Sequence, residues 1–266
     1  MSHVIVLGEY FIDRYYIGTA DRLSPEAPIP VVKVNEVVDK PGGAGNVTTN
    51  LIALGATVSH PLPPGPLPIK NRLIAAGHQL ARWDESDYTE RYQLSSLQEL
   101  ADQFERTDAI IISDYNKGAF GPAVIELIGE LAGRKQIYID TKRSPVAYHL
   151  LNDRATFFPN LKEFYQFSDY TNCTRVLRKE GAEGMTYFLK GEPIWHEPTY
   201  AINPISVSGA GDTVIASFVM ASLKPSLAGK SIKDIMNYSS KAAAIAIGKP
   251  LTSVATDYEI ENFSTR

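Results

Sequence analysis

Two alternating periodicities constrain this chain more than any other feature. Short apolar, β-branched runs recur at Val4–Leu7, Ile29–Val34, Ala109–Ser113, Gln136–Asp140 and Met185–Leu189. Between several of them, side chains recur at helical spacing: Val47, Leu51 and Leu54; Ile215, Phe218, Val219 and Ser222; Ile235, Tyr238, Ala242 and Ile245. Strands alternating with helices predict an α/β fold, with a mostly parallel central sheet and helices on both faces. A chain of 266 residues suits one such unit, so residues 1–266 read as a single domain.

Ile17–Lys40 breaks the alternation. It holds several prolines and an alternating run over Ile29–Val34, and Lys70–Asp84 alternates weakly too. Together these segments predict a small antiparallel sheet projecting from the body, with prolines on its edge strands. Pro61–Pro68 lacks most backbone donors and reads as a stiff connector. Glu90–Glu105 is polar and reads as an exposed helix.

Charge and cysteine content narrow the function classes. The net charge of −4 predicts no large nucleic-acid footprint. Cys173 is the only cysteine, so no intrachain disulfide can form, and a reducing, cytoplasmic setting is expected. Nothing around Cys173 would activate it, and it reads as a plain structural residue. The run Val4–Leu7 is too short for a leader or a membrane span, and no membrane partner is expected.

Four segments carry the chemistry. Ser206–Thr213 reads Ser-Val-Ser-Gly-Ala-Gly-Asp-Thr and runs straight into an amphipathic helix. Its glycines allow a tight turn and close approach of a ligand. Free N–H groups at the helix start, with the dipole behind them, favour an anion such as a transferring phosphoryl group. Asp212 beside them could take a proton from an attacking hydroxyl. The same residues also suit a plain glycine-rich helix start. Pro41-Gly42-Gly43-Ala44-Gly45-Asn46 again precedes a helix, and suits either a backbone wrapped round a polar ligand or a tight turn. Asp13 follows the first strand, where open α/β sheets bind ligands, so it could bind sugar hydroxyls or remain a solvated loop carboxylate. Asn160 and Glu163 share one face of a helix start, where they could order water around Mg²⁺ or form a helix cap.

In this order and spacing the four segments resemble the PfkB, or ribokinase-like, carbohydrate kinases. Gly209-Ala210-Gly211-Asp212 looks like that family's C-terminal signature, Gly42–Asn46 its N-terminal one, and Asn160…Glu163 its Asn-x-x-Glu motif. Asp13–Tyr16, Arg22–Val34 and Ser113–Ala119 look like the kinase domain for D-glycero-β-D-manno-heptose 7-phosphate. The resemblance runs from Val4 to about Glu261. It implies a three-layer α/β/α fold with a small β lid over about 14–40 and 70–84, a lid that often pairs two subunits into a homodimer. It implies Asp212 as base, and Gly209, Ala210 and Gly211 as the cradle of the transferring phosphoryl. Asp13, Gly42, Gly43 and Asn46 would grip the sugar, and Arg14 and Arg22 its own phosphate. Lys142, Asn160, Gly181, Gly184 and Ser240 would line the ATP site, with Asn160 and Glu163 holding Mg²⁺ through water. A monovalent cation is also consistent with the family.

The chain departs from the family pattern at several points. Ser206 and Ser208 replace an Asp and a Thr, Glu9 replaces an Asp, and Lys179 replaces a Thr. Ser240 stands where an Asn is common. The segments after Ala56 and after Phe164 are short, which should trim a sheet edge beside the sugar and thin the nucleotide side. Two alternatives to a heptose-phosphate kinase follow: a kinase for another sugar such as ribose or fructose, and a sugar- or nucleotide-binding regulator without turnover.

Overall fold

The apolar runs of the main sheet become strands because helices cover both of its faces, whereas the Ile29–Val34 run lies on an exposed edge of a second sheet. In chain order the elements are β1 (His3–Gly8), β2 (Tyr10–Leu23), β3 (Pro30–Gly43), α1 (Ala44–Ala53), β4 (Thr57–Ser59), β5 (Ile69–Ala75) and β6 (His78–Glu85). Then come α2 (Leu94–Gln98), α3 (Ala101–Arg106), β7 (Ala109–Asp114), α4 (Pro122–Ala132), β8 (Ile137–Thr141), β9 (Ala155–Phe157) and α5 (Leu161–Gln166). β10 (Arg175–Lys179), β11 (Met185–Leu189), β12 (Glu192–Glu197), α6 (Ala210–Leu223), α7 (Ile232–Ile247) and α8 (Asp257–Glu261) complete the chain. This computed structural model describes residues 2–201, 203–224 and 231–264.

The main sheet has eight strands in the order β12-β11-β10-β9-β8-β7-β1-β4. From β4 to β10 every pairing is parallel; β11 and β12 add an antiparallel edge. Alternate residues of one strand enter opposite cores. Val4, Val6 and Ile111 pack with α1, α6 and α7; Ile5, Leu7, Ile110 and Ile112 pack with α3 and α4. This period-2 division between two helix layers makes the three-layer architecture.

A second sheet of four strands, ordered β3-β2-β5-β6, projects as the lid. Its β2–β5 pairing is parallel, so the small sheet is mixed rather than purely antiparallel. β3 lies at its edge and carries Pro30 and Pro41 near its ends, where a missing donor costs least. The connector 61–68 holds no helix or strand, and the main sheet ends at the three-residue β4.

A second expectation fails. Glu90–Glu105 is not one exposed helix: it holds the short helices α2 and α3, and Leu97 and Phe104 are fully buried. Each helix buries a single side chain, Leu97 in α2 and Phe104 in α3, while the residues around it face water. Cys173 is buried, and burial pushes its thiol up to about 12, as expected of an unreactive residue. No helix among the described residues is long and apolar enough to cross a membrane.

Candidate active site

Parallel strands place their carboxyl ends along one rim, and the chemistry-bearing residues collect there. Glu9 follows β1, Tyr115 follows β7, Asp140 and Lys142 flank the end of β8, and Lys179 ends β10. Helix α6 starts opposite them. Its turn requires Gly209, whose φ is +81° and whose added Cβ would lie 2.5 Å from the Asn46 amide nitrogen. The N-terminal N–H groups of α6 have no partner within the helix and can hold an anion.

Asp212 lies in the first turn of α6 and is 8% exposed. The Asn46 amide donates to its Oδ2 at 2.7 Å, and the Tyr115 hydroxyl donates to its Oδ1 at 3.3 Å. Burial raises the Asp212 carboxyl to about 6; the Asn46 hydrogen bond opposes that rise, Asp140 adds to it, and Lys179 and Lys142 counter it. A carboxyl in this range is ionised near neutral pH and still basic enough to accept a proton. Asn46 is held in turn by the Asn50 amide, which donates to its backbone carbonyl at 2.9 Å. Asn46, read from sequence as a sugar contact, therefore orients Asp212 in this structure.

Glu9 also orders the site from behind. Its buried carboxylate accepts backbone N–H groups from Tyr115 (2.7 Å), Lys117 (3.1 Å) and Ala119 (3.2 Å). The loop that delivers Tyr115 to Asp212 is thus pinned to the end of β1. In the sequence Glu9 stands out only as a departure from the family pattern; three backbone donors on one carboxylate are visible only in three dimensions.

Beside Asp212 opens a cavity of about 600 Å³, lined by Asp140, Lys142, Lys179, the Gly209–Asp212 turn and Ser240. Lys142 reaches Glu163 at 2.7 Å and Asp140 at 3.5 Å. Burial works against the Lys142 charge, but Asp140 and Glu163 outweigh it and hold the ammonium firmly protonated. Asn160 and Glu163 form a reciprocal cap at the start of α5, and Lys142 ties that cap to the cavity. Gly181, Gly184 and Ser240 border the same cavity, and the Ser240 hydroxyl donates to the Pro198 carbonyl at 2.8 Å. Lys179 lies 2.5 Å from Asp140, a contact that the sequence did not signal.

On the lid side, Asp13 is buried and paired with Arg72 at 2.7 Å. Gly42 backs it closely: a Cβ there would lie 2.6 Å from the Asp13 carboxylate, and one on Gly43 would meet the Glu9 carbonyl at 2.4 Å. Lys70 of β5 reaches over the Phe11 ring, with Nζ 3.3 Å from its centroid and 5.0 Å from that of Tyr115. Burial lowers its ammonium to about 8, with Asp13 opposing and Arg82 adding to the drop. Arg82 and Lys117 have carboxylate partners, Asp84 and Asp87; among the described residues no carboxylate pairs directly with Lys70. Arg14 is tied to Asp39 at 2.7 Å, and Arg22 lies exposed toward the far end of β2. The structure does not bring these two arginines into the cavity, because successive residues of β2 carry them out along the lid.

The fold and the rim site together define a ribokinase-like phosphotransferase. The chain resembles the structure of Arabidopsis thaliana ribokinase complexed with ribose and ATP, at a TM-score of 0.73 and 14% identity, over 99% of this chain and 100% of that one. It likewise resembles phosphofructokinase-2 from Escherichia coli in complex with potassium, at a TM-score of 0.75 and 14% identity, over 98% and 97%. The family model of the pfkB family carbohydrate kinases matches residues 83–257, and the chain belongs to that family, whose members use ATP to phosphorylate a sugar hydroxyl. Among curated relatives, the bifunctional protein HldE of Photobacterium profundum is 32% identical over 306 residues, and that of Shewanella denitrificans 31% over 309. Each alignment covers 97% of this chain and 63% of the relative, so the chain spans less than two thirds of these proteins.

Proposed function

We propose that this carbohydrate kinase transfers the γ-phosphoryl of ATP to the anomeric hydroxyl of D-glycero-β-D-manno-heptose 7-phosphate, giving the 1,7-bisphosphate. The observation that carries the acceptor is Lys70. It is a half-buried ammonium without a direct carboxylate partner among the described residues, beside Asp13 and over Phe11, with Tyr115, Arg82 and Lys117 nearby. Leaving such a charge unpaired is costly unless a ligand completes it, and a phosphate on the acceptor does so. The likeness of Arg22–Val34 and Ser113–Ala119 to heptose-phosphate kinases, and the near full-length similarity to the HldE proteins, support the same acceptor.

In this reading Asp13 accepts hydrogen bonds from the sugar hydroxyls, with Gly42 and Gly43 allowing the ring to approach the backbone. Asp212 takes the proton of the attacking hydroxyl as the new P–O bond forms. Asn46 and Tyr115 keep its lone pair aimed at that hydroxyl. As the bond to ADP breaks, negative charge spreads over the phosphoryl oxygens, and the N–H groups of Gly209, Ala210 and Gly211 stabilise it. Lys142 balances the charge of the remaining phosphates. Asn160 and Glu163 offer oxygen donors beside Lys142, a chemistry suited to Mg²⁺ held through water. When bound, that ion neutralises charge on the phosphate chain. A single domain closed by the lid excludes water, so that ATP is not simply hydrolysed. The lid's exposed Leu23, Ile29 and Val37 support pairing of two copies through it.

The test is ADP release with MgATP across a panel: heptose 7-phosphate, unphosphorylated heptose, ribose and fructose. The expected result is turnover with heptose 7-phosphate above all others, and its loss in Asp212→Asn. Equal turnover of ribose or fructose would reassign the acceptor. Binding without turnover on any sugar would leave a regulator, not a kinase.

A further inference from the structure

Lys179 has no part in the transfer described above, yet its ammonium lies inside the site. It ends β10, where a parallel bridge to Asn160 and a hydrogen bond from its own N–H to the Pro159 carbonyl (2.8 Å) fix its backbone. From there Nζ reaches Asp140 Oδ2 at 2.5 Å. It also lies over the glycine turn: a Cβ on Gly211 would be 3.2 Å from it. That places one positive charge directly above the N–H cradle at the start of α6, one residue from Asp212.

We infer that Lys179 is a catalytic residue that leaves Asp140 for the transferring phosphoryl and holds it against the Gly209–Gly211 cradle. Charge balance makes the second ammonium necessary. Asp140 and Asp212 line the cavity with two ammonium groups, Lys142 and Lys179, and Glu163 lies behind them, paired with Lys142 at 2.7 Å. Three carboxylates against two cations leave one net negative charge before nucleotide arrives. Without Lys179 the γ-phosphoryl would face Asp140 and Asp212 with no ammonium free to meet it, in a setting where burial strengthens the repulsion. Lys142 cannot serve both ends, because Glu163 holds it toward the Asn160 side at 2.7 Å. Glycine at 211 leaves the space a phosphoryl oxygen needs between Nζ and the backbone. Lysine suits this role, since a compact charge on a flexible stem can follow the phosphoryl as it moves between oxygens. Asp140 parks the ammonium when no phosphoryl is present.

The inference rests on phosphoryl transfer, not on the identity of the sugar, and its first test uses none. Titrate MgADP and a non-hydrolysable Mg–ATP analogue into wild type, Lys179→Met and Lys179→Arg by calorimetry. A contact to the γ-phosphoryl alone predicts that Lys179→Met weakens the analogue about tenfold or more and changes ADP by under about threefold. The arginine variant should recover part of the loss. In turnover with an accepted sugar, Lys179→Met should lower kcat by about 10²-fold, as for other removed transition-state donors. The double variant Lys179→Met/Asp140→Asn separates the remaining account, in which Lys179 only neutralises Asp140. Regained analogue affinity and kcat in the double variant would overturn the inference. Equal weakening of ADP and analogue, or no weakening of either, would overturn it as well. Thermal melts of each variant identify any loss caused by unfolding, and Lys179→Arg, which keeps the Asp140 ion pair, still reads the contact.

Discussion

Replacing Asn46 with alanine tests how the base is held. The Asn46 amide donates to Asp212 Oδ2 at 2.7 Å inside a site where Asp212 is 8% exposed. A hydrogen bond to a charged group contributes about 1.5–3 kcal/mol. Losing it disfavours the ionised carboxylate, so the folded-state value of Asp212, now about 6, must rise. At about 1.4 kcal/mol per tenfold, the acid limb of the pH–rate profile should move from about pH 6 to between about 7 and 8. The ionised fraction at neutral pH then falls from about nine tenths to between about one half and one tenth, and the rate with it. Raising the pH to 9 should recover most of that loss. The charged groups facing Asp212 (Asp140, Lys142 and Lys179) stay in place, so they do not move the limb in the opposite direction. The assay is kcat/KM by ADP release from pH 5 to 9, with a thermal melt to confirm folding. A limb still near 6, with a loss equal at every pH, would refute the reasoning.

Three further outcomes follow from the same geometry. Asp212→Asn should be more stable than wild type at pH 8, by up to about 3 kcal/mol or a few degrees in Tm, though inactive. The sign follows from burial: a carboxyl raised from 3.8 to about 6 costs stability once ionised, above that value, and the cost fades as pH falls through it. Gly209→Ala should cost both stability and activity, since alanine is strained at φ +81° and its Cβ would push the Asn46 amide off Asp212; a normal Asn46-dependent pH profile in this variant would contradict that. Lys70→Met should raise KM for heptose 7-phosphate about tenfold or more and leave KM for MgATP unchanged, whereas Arg22→Ala should change neither, its side chain being exposed far along β2; steady-state kinetics decide.

Much of the fold was legible because each central strand is a continuous apolar run and each covering helix repeats at its own period. Residues 109–113 and 185–189 could be read almost to the residue for that reason. β9, β10 and β12 were not: β10 reads Arg-Val-Leu-Arg-Lys, its charged carboxyl end reaches the rim, and its two apolar residues are too few for a periodic signal. The lid's two segments were visible from their prolines and weak alternation, but the parallel β2–β5 pairing was not, since pairing direction leaves no mark on either strand. At the site, the glycine turns and Asp212 stood out because backbone demands select glycine locally. Contacts joining distant segments did not: Asn46 to Asp212 spans 166 positions, and Tyr115 to Asp212 spans 97. Lys70 looked like an ordinary lid lysine, and Lys179 and Glu9 stood out only as departures from the family pattern, until the sheet brought their partners to them.

The central claim is that Asp212 takes the proton while a phosphoryl passes to a phosphorylated sugar. Phosphorus NMR of heptose 7-phosphate with MgATP reads that step directly. The account predicts a new anomeric phosphate signal that grows in step with ADP for wild type, and at least about 10²-fold more slowly for Asp212→Asn. ADP and inorganic phosphate without a sugar bisphosphate, or equal product from the two proteins, would contradict it.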